Sequence, residues 1–78
     1  MDVRKKIRIE LEKALAGKPY VFRTDEARQA LDGNSAGVMA NGDCAGTGPK
    51  DAFLIGRKIA YPIDSYIDWV VSRISRMK

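Results

Sequence analysis

Residues 52–61 limit what this chain can fold into more than any other stretch. Two short apolar runs, Ala52-Phe53-Leu54-Ile55 and Lys58-Ile59-Ala60-Tyr61, flank the pair Gly56-Arg57. A two-residue connection that begins with glycine suits a tight β-hairpin, because its first position needs a positive φ that glycine adopts without steric cost. Pro62 ends the second strand. A small two-stranded unit is therefore predicted, and the rest of the chain must pack around it.

Helical periodicity surrounds the hairpin. Val3, Ile7, Leu11 and Leu15 recur every four residues, predicting a helix over residues 3–16 with one apolar stripe. Gly17 and Pro19 stop it. Tyr20-Val21-Phe22 is a short extended run leading onward. Thr24 is the expected cap of a second helix, with Asp25 and Glu26 in its first turn and Ala27, Ala30 and Leu31 facing inward. After Asp32-Gly33, Ser35 is the expected cap of a third helix. Gly37 and Gly42 each cost that helix about 1 kcal/mol relative to alanine. Packing of Val38 and Met39 must therefore hold it, or residues 32–49 form a glycine-rich loop. Asp64 is the expected cap of the last helix, in which Ile63, Ile67, Val70, Val71 and Ile74 share a face. Tyr66 and Trp69 fall near its edges, and Arg73, Arg76 and Lys78 sit at its C-terminal end, where cations suit the helix dipole. The reading is a mainly α single domain with a small two-stranded β wing: a winged helix-turn-helix over residues 20–78 preceded by an extra helix over residues 1–17.

Composition narrows the function. Seventy-eight residues bury a modest core and leave little room for a large catalytic cleft, so no enzyme, cofactor or small-molecule substrate is expected. With no histidine and a single cysteine, Cys44, neither a Cys–His dyad nor a cysteine-rich metal site can be assembled. The glycine-rich residues 42–49 lack the Gly-Lys-Ser/Thr ending of a phosphate loop. No apolar run reaches the roughly 18 to 20 residues that cross a bilayer. Residues 2–8 are too charged for a secretory signal, so no membrane association and a cytoplasmic location are expected. Fourteen Lys and Arg against ten Asp and Glu give a net charge of +4. The cations cluster at Arg4, Lys5, Lys6 and Arg8, at Lys50, Arg57 and Lys58, and at Arg73, Arg76 and Lys78, a distribution that favours polyanions or simply solvates helix faces.

From Pro49 to Pro62, and again from Asp64 to Val70, the chain resembles the second half of excisionase-like, AlpA-like and MerR-type winged helix-turn-helix domains. The shared pattern is a Gly-Pro entry to a strand, an Ile-Gly-Arg turn, a closing Tyr, and a capped helix with a Trp. Phe22-Arg23-Thr24-Asp25-Glu26-Ala27-Arg28-Gln29-Ala30-Leu31 is similar to the first helix of that motif, and Ser35 and Met39 fall where the family places the recognition-helix cap and its inward residue.

The resemblance implies a DNA-binding protein of a bacterial or phage-infected cell. It would be an excisionase or a small transcriptional regulator, with double-stranded DNA as partner and an integrase or further copies of itself beside it. Arg57 at the wing tip is the leading candidate for phosphate or minor-groove contact. Lys58 and Lys50 are candidate phosphate contacts, as are Arg23 and Arg28 beside the first motif helix. Ser35, Asn41 and Thr47, with Asn34, are the neutral groups that can reach base edges, while Asp43 is expected to repel phosphate. Trp69, Tyr66 and Tyr61 can stack on bases if exposed, but core packing is the simpler role for Trp69. The helix over residues 35–44 lacks the Arg, Lys and aromatic side chains usual in the family. That departure supports an alternative, a protein-interaction module that keeps the fold without binding DNA. The four-residue apolar stripe of Val3 to Ala16 offers a further one, a homodimer zipped through the first helix.

Overall fold

The computed structural model describes residues 2–75, and its element order is that of a mainly helical domain with a small β wing. Helices α1 (Val3–Ala14), α2 (Glu26–Asp32), α3 (Ala36–Ala45) and α4 (Ile63–Ser72) accompany strands β1 (Tyr20–Phe22), β2 (Phe53–Ile55) and β3 (Lys58–Pro62). The hairpin forms as expected: Ile55 faces Lys58 across the turn, and Gly56 takes φ +61°.

The sheet has three strands rather than two. Tyr20-Val21-Phe22, too short to show a period, pairs antiparallel with β3, giving the order β1-β3-β2. Val21 and Tyr61 face the core, while Tyr20, Phe22 and Phe53 cover Ala60 on the outer face with rings packed edge to face at 5.3 and 5.7 Å.

Leu11, Leu15, Val21, Met39, Tyr61, Tyr66, Ile67 and Val71 form the core, with Ile7, Ile59, Ile63, Trp69 and Val70 packed against it. Of the apolar stripe of α1, Ile7, Leu11 and Leu15 pack inside the molecule, with α1 set against α4, and Val3 stays exposed, so little of the stripe is left for a zipped α1 homodimer. Arg8 adds a 2.8 Å ion pair to Asp68, and the Arg4 guanidinium donates to the Ile74 carbonyl, so α1 and α4 are also clasped at their surface.

Several local expectations need correction. The cap of α2 is Asp25, not Thr24; its carboxylate accepts from the Ala27 N–H at 2.9 Å. Helix α4 starts directly after Pro62, whose fixed φ (−56°) leads into the helix, and Asp64 lies in its first turn without capping it. Tyr66 is fully buried rather than at an edge. Val38 is 50% exposed, so Met39 alone among the pair anchors α3. Ala27, Ala30 and Leu31 are exposed, and the residue that α2 turns inward is Arg28. Arg76 and Lys78 lie outside the described residues.

Candidate nucleic-acid interface

The turn between α2 and α3 is organised by a buried arginine. Arg28 is fully buried, and its guanidinium donates to both carboxylate oxygens of Asp32 (2.9 and 3.0 Å), to the Asn34 carbonyl (3.0 Å) and to the Arg23 carbonyl (2.6 Å). Asp32 also accepts from the Asn34 N–H and from the Tyr66 hydroxyl, 2.7 Å away on α4. A buried charge is tolerable only when paired and hydrogen-bonded. Asp32 and the two carbonyls satisfy both terminal nitrogens of Arg28 and lock α2 onto α4, while its Nε is buried without a partner among the described residues. Burial, followed by the hydrogen bond it donates to Asp32, raises the ionisation of the Tyr66 hydroxyl far above its ordinary value. Arg28 is therefore a core residue, not a backbone-gripping cation.

A second polar cluster holds α3 against the sheet. The Tyr61 hydroxyl accepts from Arg23 Nε at 3.1 Å and donates to Asp43 Oδ2 at 2.7 Å, and the Arg23 guanidinium pairs directly with the same carboxylate. Its hydrogen bond to Tyr61 raises the Arg23 guanidinium above its already high value, against a smaller opposing effect of burial; burial raises the Tyr61 hydroxyl. Gly48 lies against the Asp43 side chain so closely that a Cβ there would overlap the carboxylate. Two expectations change as a result. Arg23 is committed to an internal network, and Asp43 turns inward instead of facing an incoming phosphate.

With these anchors set, the outer face of α3 is Ser35, Gly37, Val38, Asn41, Cys44 and Ala45, all exposed. The helix forms despite its two glycines. Ser35 caps it by accepting from the Val38 N–H at 3.2 Å, and Gly46 at φ +77° closes it. Between α3 and α4 runs a groove of about 300 Å³ in which Asn34, Val38, Asn41, Thr47, Trp69 and Arg73 meet. Trp69 forms its wall: Nε1 donates to the Thr47 carbonyl at 2.8 Å, and the Arg73 guanidinium lies 4.9 Å from the ring. A recess of about 370 Å³ continues past Thr47 to Lys50, Ser65 and Ser72.

Asn41, Thr47 and Lys50 therefore share one groove system, with Ser35 at the start of α3. Arg57 and Lys58 stand apart on the exposed hairpin, where Lys58 Nζ lies 5.4 Å above the Phe22 ring. Arg23 and Arg28 belong to neither group. Arg73 is the cation that the sequence reading left out of the interface. Its position four residues after Trp69 on one helix is the signal that could have placed it there.

No protein-family model, curated protein or solved structure matches the chain.

Proposed function

We propose that this protein binds duplex DNA, laying the outer face of α3 toward the major groove and the β2–β3 wing along the adjacent backbone or minor groove. The observation that carries the reading is the division of charge. The cations Arg23 and Arg28 and the acids Asp32 and Asp43 neutralise one another, which leaves Arg57, Lys58, Lys50 and Arg73 as outward cations around an α3 face that carries no exposed acid. Asp68 in the adjoining recess is paired with Arg8, and Asp51 beside Lys50 is exposed. Such a surface attracts phosphate without an acidic side chain on the helix to oppose it. The small residues of α3 permit close backbone approach, and Asn41 is its one exposed amide able to bond a base edge. Sequence preference then comes chiefly from groove shape and deformability read by the wing.

The resemblance to excisionase-like and AlpA-like domains supports a finer reading. It makes the chain a cytoplasmic accessory factor that acts with an integrase, or a small transcriptional regulator, and not an enzyme. Among the described residues no helix is long and apolar enough to cross a membrane, which is compatible with that location. A second reading, a protein-interaction module on the same fold, draws on the absence of any cation on the outer face of α3.

Duplex binding followed by fluorescence anisotropy across a salt series separates the two. DNA binding predicts a steep fall of log K with log salt. Arg57→Ala and Lys58→Ala should each flatten that slope by about 0.9 if each cation neutralises one phosphate. Absence of binding at low salt, or a slope unchanged when both are replaced, would favour the protein-interaction module.

A further inference from the structure

The free edge of the wing has features that natural proteins usually suppress. Strand edges that face solvent are normally blunted by charge, proline or a bulge, because their unpaired main-chain groups invite another strand. Strand β2 is Phe53-Leu54-Ile55, apolar throughout and exposed at 38%, 64% and 40%. Both of its faces are apolar, so the alternation expected of a half-solvated antiparallel strand is missing.

The hydrogen-bond register identifies which groups are open. The Ile59 carbonyl accepts from the Arg23 N–H at 2.9 Å, so the main-chain groups of Ile59 point toward β1. Leu54 opposite Ile59 is then the non-hydrogen-bonded pair of the hairpin, and the N–H and C=O of Leu54 point outward from the sheet. We infer that the β2 edge is a self-association surface, on which a second copy of this chain pairs antiparallel about a two-fold axis at Leu54.

The pattern is self-complementary in that register and in no parallel one. Leu54 meets Leu54 of the second copy, and Phe53 meets Ile55, so apolar side chains lie opposite one another on both faces. Asp51 precedes the strand and Arg57 follows it. Antiparallel pairing brings the acid of one copy toward the cation of the other, whereas parallel pairing sets like charges together. Each copy offers the same patch to its twin, as a closed two-fold dimer requires. Three residues supply a single ring of two main-chain hydrogen bonds, so the dimer is weak and forms as concentration rises.

The test needs no DNA and so stands apart from the proposed function. In a Cys44→Ser background, which removes the lone exposed thiol, Leu54→Cys is oxidised with diamide, which takes up two electrons and two protons as two thiols become one disulfide. Directly opposed residues of a hydrogen-bonded antiparallel pair have Cα atoms about 5.5 Å apart, within disulfide reach. Cross-linked dimer should form at least about tenfold faster than from Val3→Cys, an exposed control on α1. Sedimentation equilibrium of the unaltered chain should show a mass rising with concentration. Leu54→Pro, which removes only the outward N–H, should abolish that rise while the hairpin persists by circular dichroism. Equal cross-linking rates, a mass that stays monomeric, or a rise that survives Leu54→Pro would each overturn the inference.

Discussion

Helices α1 and α4 meet the rest of the molecule in a different way from α2 and α3. The first pair buries Leu11, Leu15, Ile67 and Val71 and adds its ion pair only at the surface. The second pair contributes one core apolar side chain, Met39, and is otherwise held by Arg28–Asp32–Tyr66 and Arg23–Tyr61–Asp43. Apolar contact is non-directional and tolerates sliding, whereas hydrogen-bonded ion pairs fix position and angle. Helix α3, which the proposed function lays toward the major groove, is thus the one set by directional bonds.

The strongest way to break this contrast is Arg28→Ala. It leaves Asp32, whose side chain is 4% exposed, without its counter-ion. Stranding one member of a buried pair costs about 3–5 kcal/mol, a large part of the roughly 4–12 kcal/mol available to a domain of this size. Urea unfolding should show stability lowered by about that 3–5 kcal/mol. The double replacement Arg28→Met with Asp32→Leu should recover most of it, whereas Leu15→Ala should cost about 2–5 kcal/mol and have no such rescue.

Gly48→Ala sharpens the contrast on α3. The added methyl must displace the Asp43 carboxylate from Arg23 and Tyr61, at a cost of about 1–3 kcal/mol. Amide hydrogen exchange should accelerate in α3 and remain close to that of the parent in α1. Uniform acceleration would show that the two pairs are a single cooperative unit.

Much of this arrangement is legible in the chain itself, and the parts that are not share one cause. Gly56-Arg57 between two apolar runs specifies the hairpin because turn chemistry is local, and Ser35 marks the start of α3 for the same reason. Arg28 and Asp32 stand at i and i+4, a spacing that announces an ion pair but not which way it points. The Arg23 and Asn34 carbonyls and the Tyr66 hydroxyl, thirty-four residues after Asp32, together make the inward direction favourable. Asp43 is similar: its partners are Arg23, just past β1, and Tyr61 on β3, and no local pattern connects them. Charged residues in a basic chain read as surface until long-range partners are known, and so of the eight candidate contacts Arg28 lies buried and Arg23 is half-buried against Tyr61 and Asp43.

Alkaline titration provides a gentler probe. Both Tyr61 and Tyr66 ionise above the ordinary value of 10.0 in the folded chain, because burial opposes the phenolate. The unfolded chain therefore releases these protons first. Stability from these groups is fully present below pH 10 and falls as pH rises from there toward the folded values, by up to about 1.4 kcal/mol per pH unit for each tyrosine. Urea midpoints between about pH 9 and 11 should fall, and Tyr61→Phe should make the decline shallower.

The smallest effect on stability belongs to the wing. Arg57→Ala should change unfolding free energy by less than about 0.5 kcal/mol, because its side chain is exposed and forms no bond within the described residues. Its effect should instead be on DNA.

Titrating isotope-labelled protein with a short duplex at low salt, and following amide shifts residue by residue, tests the central claim most directly. The account predicts shifts concentrated at Ser35, Gly37, Asn41, Thr47, Lys50 and the turn at Gly56 and Arg57, with Arg28 and the α1–α4 seam close to their free positions. Shifts confined to the charged face of α1, or none at all, would contradict it.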